Sequence, residues 1–434
     1  MNKWKKVKIG EIFKIEKGSL QSSKCIPGKY DFITAASEWK THESYSHECE
    51  AIVYAVAASG SLGRAHYVNG KFIASDLCFI LTEKDKEKYP INFQFYQLIF
   101  ELIREEIVSK TKTGTSKESI NQKNFSNYEI PYFSFDYQMA NYEKLVNTKQ
   151  KISELLEESE KQKNYVKQLR QNILQEAIEG KLTEEWRKEN PVIKGNPDFD
   201  AEALFEKIQE EKLKNENGKG KTQNPLFYEN LDIPKNWLFP LLNEITKQIT
   251  DGTHLTPNYV TQGEVFLSAQ NIKPFCFIPK NHRFVSKNDF EKYRNNRTPE
   301  KNDILMARVG AGIGEAAVID TNLEFAFYVS LCLIKTFSNF MNPNYLAIVL
   351  NSSYGVRYAK NNISSSGTSA GNYNLGHIRA LKIPLPPLAE QKKIVSRVEK
   401  FLANVTELEE QITERETLTK QMLQSIMKDA FREE

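Results

Sequence analysis

Residues 113–121 read TGTSKESIN and residues 366–374 read SGTSAGNYN, and the fold follows from taking them as two copies of one segment. Gly114 corresponds to Gly367, Thr115 to Thr368, Ser116 to Ser369 and Asn121 to Asn374, each pair 253 positions apart. The same offset carries Ile130-Pro131 onto Ile383-Pro384, Gln138 onto Gln391, Leu155 onto Leu408, Gln168 onto Gln421, Ile173 onto Ile426 and Ala177 onto Ala430. A register that holds without a gap over roughly 60 residues is an internal repeat, and a repeat sets the architecture before any single motif does.

Upstream the copies diverge. Trp4 corresponds to Trp237, and AASGSLGRAHYV (57–68) is loosely like ARVGAGIGEAAVI (307–319) at a slightly different offset. The halves share a frame and differ inside it. The later part of each copy is helical. Residues 139–180 and 389–431 contain no proline, and their one glycine is Gly180. Apolar side chains recur at spacings of three and four: Leu145, Ile152, Leu155, Val166, Leu169 and Ile173, then Val398, Phe401, Val405, Leu408, Ile412, Met422 and Ile426. Such a heptad-like stripe needs a partner, and the other copy is the obvious one. Each helix would be about 60 Å long. Gly180 is the expected stop of the first, because glycine tolerates the left-handed cap conformation.

The chain of 434 residues is too long for one core. The expected organisation is a mixed α/β domain at 1–135, a long helix within 136–190, a polar connector at 191–235 with one short helical pattern (AEALFEKIQEEKLK), a second mixed domain at 236–387 and a second long helix at 388–434. The class is α+β, with two antiparallel helices pairing as a coiled coil and a pseudo-twofold repeat. The runs AIVYAVAA (51–58), FIASDLCFILT (72–82) and FAFYVSLCLIKTF (325–337) read as strands.

The net charge of +3 excludes a histone-like polycation and leaves room for local basic patches. The five cysteines (Cys25, Cys49, Cys78, Cys276 and Cys332) form no C-x-x-C pair, which points to reduced thiols and a cytoplasmic protein. No signal peptide and no membrane span are read from the sequence.

Motifs that would carry catalysis do not assemble. Gly310-Ala311-Gly312-Ile313-Gly314 lacks the spacing of a nucleotide loop and reads as a tight turn between strands. Pro197-Asp198 with Glu210 and Lys212 imitates a nuclease pattern, but Glu210 and Lys212 fall in a helical charged linker. No N-P-P-[YF], D-P-P-Y or H-E-x-x-H occurs, and His42, His47 and Cys49 read as a surface turn and not a metal site. No metal ligand set is proposed. An enzyme (a nuclease or methyltransferase with an unrecognised site) and a non-specific coiled-coil scaffold are two readings that these residues leave open.

DNA contact requires donors for phosphates and hydrogen-bonding groups for base edges. Residues 109–124 offer Lys110, Lys112, Thr113, Thr115, Ser116, Lys117, Asn121 and Lys123; the second copy offers Ser366, Thr368, Ser369, Asn372 and Asn374. The alternative is a polar loop packed on its own domain, with Asn121 and Asn374 capping turns. Asp251, Thr253 and His254 of DGTHLTPNYV, Asn271 of SAQNI, and Arg64 and Arg308 beside the glycine turns are further candidates.

These residues carry a resemblance. IPLPPLAEQKKIVSRVEKFL (383–402) resembles the motif that ends each recognition domain and opens each conserved helix of Type I restriction–modification specificity subunits. NILQEAIEGKLTEEWR (172–187) is similar to the end of their central conserved region, and LDIPKNW (231–237) to the opening of a recognition domain. DGTHLTPNYV with FLSAQNI resembles one common class of second domain. The first copy, IPYFSFDYQMANYEKLV (130–146), keeps Ile130-Pro131 and Gln138 but lacks PPLAEQ. The resemblance implies a non-catalytic subunit with two target-recognition domains that read an asymmetric, split site in double-stranded DNA. It also implies helices that act as spacer and dock two methyltransferase subunits, joined by restriction–translocase subunits. S-adenosylmethionine, ATP and magnesium are then expected on those partners and no cofactor on this chain.

Overall fold

The computed structural model describes residues 4–58, 60–114, 118–214, 222–227, 229–364 and 371–430. Internal contacts divide the chain into two compact units. One comprises Met1–Lys161 with Ile412–Glu434, the other Gln162–Gln411. Each therefore joins one globular domain to one end of each of two long helices, Phe135–Ile178 and Leu388–Ala430.

In the first unit the core sheet runs Phe13–Lys17, Cys78–Glu83, His47–Ala55 and Ala65–Ala74 in spatial order, with neighbouring strands antiparallel. In the second unit the strands Thr246–Asp251, Leu331–Thr336, Ile304–Ala307 and Ala316–Val318 repeat that order and those directions. The helices Phe93–Leu102 and Arg104–Thr111 of the first domain answer to Pro343–Asn351 and Ser353–Asn361 of the second. The run 325–337 breaks into two strands, Ala326–Phe327 and Leu331–Thr336, at the turn through Val329 and Ser330.

The domains part company between their first two core strands. Residues 18–46 add two strands, Tyr30–Ile33 and Lys40–His42, to the edge of the first domain's sheet. Residues 252–303 instead build a small separate sheet with a helix, Lys287–Arg294, over a core of Phe266, Val285, Phe290, Tyr293 and Ala326.

The matched residues of the repeat are latches. Gln138 is fully buried; its Oε1 accepts from Asn92 N at 2.7 Å and its Nε2 donates to Phe133 O at 2.9 Å and Pro90 O at 3.1 Å. Gln391, also fully buried, accepts from Asn342 N at 2.9 Å and donates to Pro386 O at 3.1 Å. Asn92 and Asn342 cap the equivalent core helices. Tyr96 Oη donates to Pro131 O and Tyr345 Oη to Pro384 O, at 3.3 and 2.7 Å. Each latch fixes the core helix against the strand that leads into the long helix, so the same residues return at the same spacing.

Within the second unit the long helices run antiparallel. Arg170 bonds Glu409 at 3.0 Å, and Arg397 further along reaches back to Leu182 O. Gly180 follows the first helix with φ +71°, the left-handed conformation that its lack of a Cβ allows. Burial on the helices falls at intervals of seven: Ile152, Ser159, Val166 and Ile173 on the first, Val398, Val405, Ile412 and Thr419 on the second. Leu155, Leu169, Phe401, Leu408 and Met422, expected to pair the helices, are instead 40–55% exposed. The correction has a simple cause: one helix facing one partner buries a narrow seam, and the rest of an apolar stripe stays outside it. Leu145 packs on the first domain's core, and the side chain of Ile426 lies outside the described residues.

Candidate nucleic-acid interface

In the second domain, Arg308 lies at the end of a core strand and is only 3% exposed. Its guanidinium donates to Asp251 Oδ2 at 2.6 Å, to Tyr373 O at 2.9 Å and to Asn372 Oδ1 at 3.3 Å. Asp251 in turn bonds the ring of His254 at 2.9 Å, and that ring is 70% exposed. A buried cation therefore orients a carboxylate, which presents an imidazole to solvent. Beside them, burial pushes the Cys332 thiol up to about 12, so it stays protonated at neutral pH.

This arrangement revises the sequence expectations. Arg308 and Asp251 are positioning groups, and Asn372 is exposed but tied to the same guanidinium. Thr253 is 4% exposed and accepts from Leu255 N. Asn271 is 1% exposed, with its amide donating to the carbonyls of Ile278 and Asn281. Polar residues in a turn-rich stretch read as available, but internal partners have taken their donors and acceptors, some within ten residues and one, Arg308, 57 residues from Asp251. Of this group, His254 is the one directed outward.

Asn121 and Asn374 are helix caps, accepting from Lys123 N and Asn124 N and from Gly376 N respectively. In the first domain Lys110, Lys112 and Thr113 are exposed; Lys112 pairs with Glu118 at 2.7 Å and Thr113 donates to Ser119 O. Thr115, Ser116, Lys117, Ser366, Thr368 and Ser369 lie outside the described residues. Arg64 donates to Ala35 O at 2.7 Å and lines a groove of 640 Å³ with Trp39, His66, Gln97, Arg104 and Lys149. Trp39 is 40% exposed and donates to His66 Nδ1, and burial lowers the pKa of His66. Gly310 and Gly314, both at positive φ, form the turn between Ile304–Ala307 and Ala316–Val318, as their spacing suggested.

The nuclease-like pattern is dismantled by its geometry. Lys212 donates to the carbonyls of Asn243 and Thr246, burial lowers its pKa, and Glu210 pairs with Lys207 on the exposed helix face. Among the described residues no cluster of three or more His, Cys, Asp or Glu side chains could hold a metal ion. No described helix is long and apolar enough to cross a membrane.

A chain that builds one α+β frame twice and sends a long helix out of each copy belongs to a class of duplicated, two-headed proteins. The sequence profile described as the Type I restriction modification DNA specificity domain matches residues 1–174 and 234–415, and the chain belongs to this family. It is 24% identical over 446 residues to the Type I restriction enzyme EcoDI specificity subunit of Escherichia coli, covering 99% of this chain and 88% of that one. Two solved structures share the fold. A chain reported for complex assembly and conformational transition of the type I R-M system has a TM-score of 0.63 at 15% identity, covering 99% of this chain and 97% of its own. The HsdS subunit from Thermoanaerobacter tengcongensis has a TM-score of 0.51 at 16% identity, with the same coverage.

No motif marks the residues between Lys273 and Lys301, where eight Lys and Arg stand against three Asp and Glu. A running charge count would have found them, because this stretch is more positive than the whole chain.

Proposed function

We propose that the chain is the DNA-reading subunit of a Type I complex, with 1–135 and 236–387 as target-recognition domains for the two halves of an asymmetric, split site. The observation that carries the reading is the duplicated frame: the core sheet, latches and caps are repeated, while the segment between the first two core strands is built differently. Two domains that share a scaffold and differ in an inserted surface suit two half-sites of different sequence. The subunit does no chemistry in this reading. The exposed Leu155, Tyr165, Leu169, Phe401, Leu408, Leu418 and Met422 on the long helices are the docking surface for methyltransferase subunits. Those subunits bring S-adenosylmethionine, and restriction subunits bring ATP and magnesium.

Base-modification sequencing of genomic DNA from the source strain, with and without the gene, tests this. Loss of one methylated-adenine motif split by a fixed spacer is expected; retention of every motif in a strain whose partner subunits are active would overturn it. Removing one heptad from both helices is expected to shorten the spacer by about three base pairs and leave both half-sites as they were.

A further inference from the structure

We infer that residues 273–301 of the second domain form a docking surface for the DNA phosphate backbone, a reading that rests on the proposed function and gives it a location. Lys280, Arg283, Lys287, Lys292 and Lys301 are exposed. The apolar side chains between them, Val285, Phe290 and Tyr293, turn into the small core with Phe266 and Ala326. The element thus has a folded inner side and a cationic outer side. Lys273 pairs with Glu315 at 3.8 Å and Arg294 with Glu324 at 3.2 Å, while the element's own Glu300 pairs with Lys335 at 2.9 Å.

This charge has no counterpart in the shared frame. The equivalent stretch of the first domain, 18–46, carries three Lys and three Asp or Glu, where 252–303 carries eight Lys and Arg and five Asp and Glu, and the first domain folds on the same core sheet without a cationic insertion. Like charges gathered on one surface repel, and an anionic partner removes that cost. The surface also continues into the polar loop beside it. Arg297 donates to Gly252 O at 2.8 Å, and Gln248 donates to Asn296 O at 2.7 Å. These bonds seat the basic element against the 251–255 loop, where His254 projects. Arg283 stacks over Tyr259, 4.4 Å from the ring centroid, and Tyr259 is 46% exposed. A flat guanidinium on an exposed ring presents its remaining N–H groups as a fork, the geometry that phosphate accepts. An acidic protein surface would be drawn to the charge as well, but the adjoining imidazole and stacked ring favour nucleic acid.

The test uses the full chain bound to its methyltransferase subunits. Lys280→Gln, Lys287→Gln and Lys292→Gln are combined, with a triple Lys→Arg variant as the charge-conserving control. Affinity is measured by fluorescence anisotropy across a salt series, on duplexes with and without the strain's methylated motif. The Gln variant is expected to weaken binding to both duplexes by a similar factor and to lower the salt slope by about two to three, close to one for each phosphate that is no longer neutralised. The Arg variant is expected to keep the native slope. An unchanged slope in the Gln variant, with the native complex still preferring the motif, would sink this inference alone. A native complex with no preference would sink the proposed function and this surface with it. Loss of the methyltransferase subunits with DNA binding intact would assign the surface to protein instead.

Discussion

Between Ser109 and Asn124 the first domain carries four lysines and one glutamate; the sixteen residues that repeat this stretch in the second domain contain no Lys, Arg, Asp or Glu. Eight of the second domain's fifteen Lys and Arg lie instead in its insertion. What the domains share is the latch geometry around Gln138 and Gln391, and what they do not share is where positive charge stands. A frame that must close a core tolerates little variation, because a buried amide without its partners is costly. A surface that meets a ligand can be rebuilt on a different loop, provided the frame holds that loop still.

The first contrast to test is functional. Replacing residues 252–303 with the equivalent stretch of a relative that methylates another motif is expected to change one half of the motif completely. The other half and the spacer should remain, as read by base-modification sequencing; a change in both halves would show that the domains are not independent readers.

The second contrast lies at the root of the long helices. Glu390 is fully buried and accepts from Thr183 Oγ1 at 2.7 Å, from Arg187 at 2.5 Å and from the Trp237 indole N–H at 2.8 Å. The repeat places Tyr137 at this position in the first domain, stacked on Phe133 at 4.9 Å. Trp4, the counterpart of Trp237, has its indole nitrogen buried with no hydrogen-bond partner. Glu390→Ala strands Arg187 and is expected to cost about 3–5 kcal/mol. Tyr137→Ala is expected to cost about 1 kcal/mol. Urea unfolding of both variants decides the matter, and equal losses would break the asymmetry. Trp237→Phe should exceed Trp4→Phe by about 2 kcal/mol, the worth of a hydrogen bond to a carboxylate, in the same assay.

Where the frame is common, effects should match. Gln138→Ala and Gln391→Ala each leave a capping residue's N–H unpaired, and each is expected to cost about 1–3 kcal/mol. Asn121→Ala and Asn374→Ala should each cost about 1 kcal/mol through a lost cap. Thermal melts that show one member of either pair to be silent would mean that the repeat is preserved there for another reason.

These pairs also explain what is legible in the sequence. The register of 253 survives because latches and caps have strict geometry: Gln138, Ile130-Pro131 and Asn121 each touch fixed backbone atoms. The glycine turn is readable for the same reason. Two features are not. The periodicity of the long helices marks apolar positions but not how many a single partner can cover, so Leu155 and Phe401 read as paired. The polar stretch around Asp251 reads as open because its satisfying partner, Arg308, is 57 residues away in the chain. Local composition cannot show that a hydrogen bond is already made.

The division of the chain has a consequence for its synthesis. Gln162–Gln411 is continuous, but Met1–Lys161 completes its unit only with Ile412–Glu434. The first unit begins to emerge first and is finished last. At about 5–20 residues per second the intervening 250 residues take roughly ten to fifty seconds to appear. During that interval Ile152 and Ser159, both buried in the finished fold, wait for the closing end of the second helix. The nascent chain spends this time as a half-zipped subunit with the later domain already closed, so a ribosome that pauses before residue 412 would prolong its exposure to chaperones and proteases.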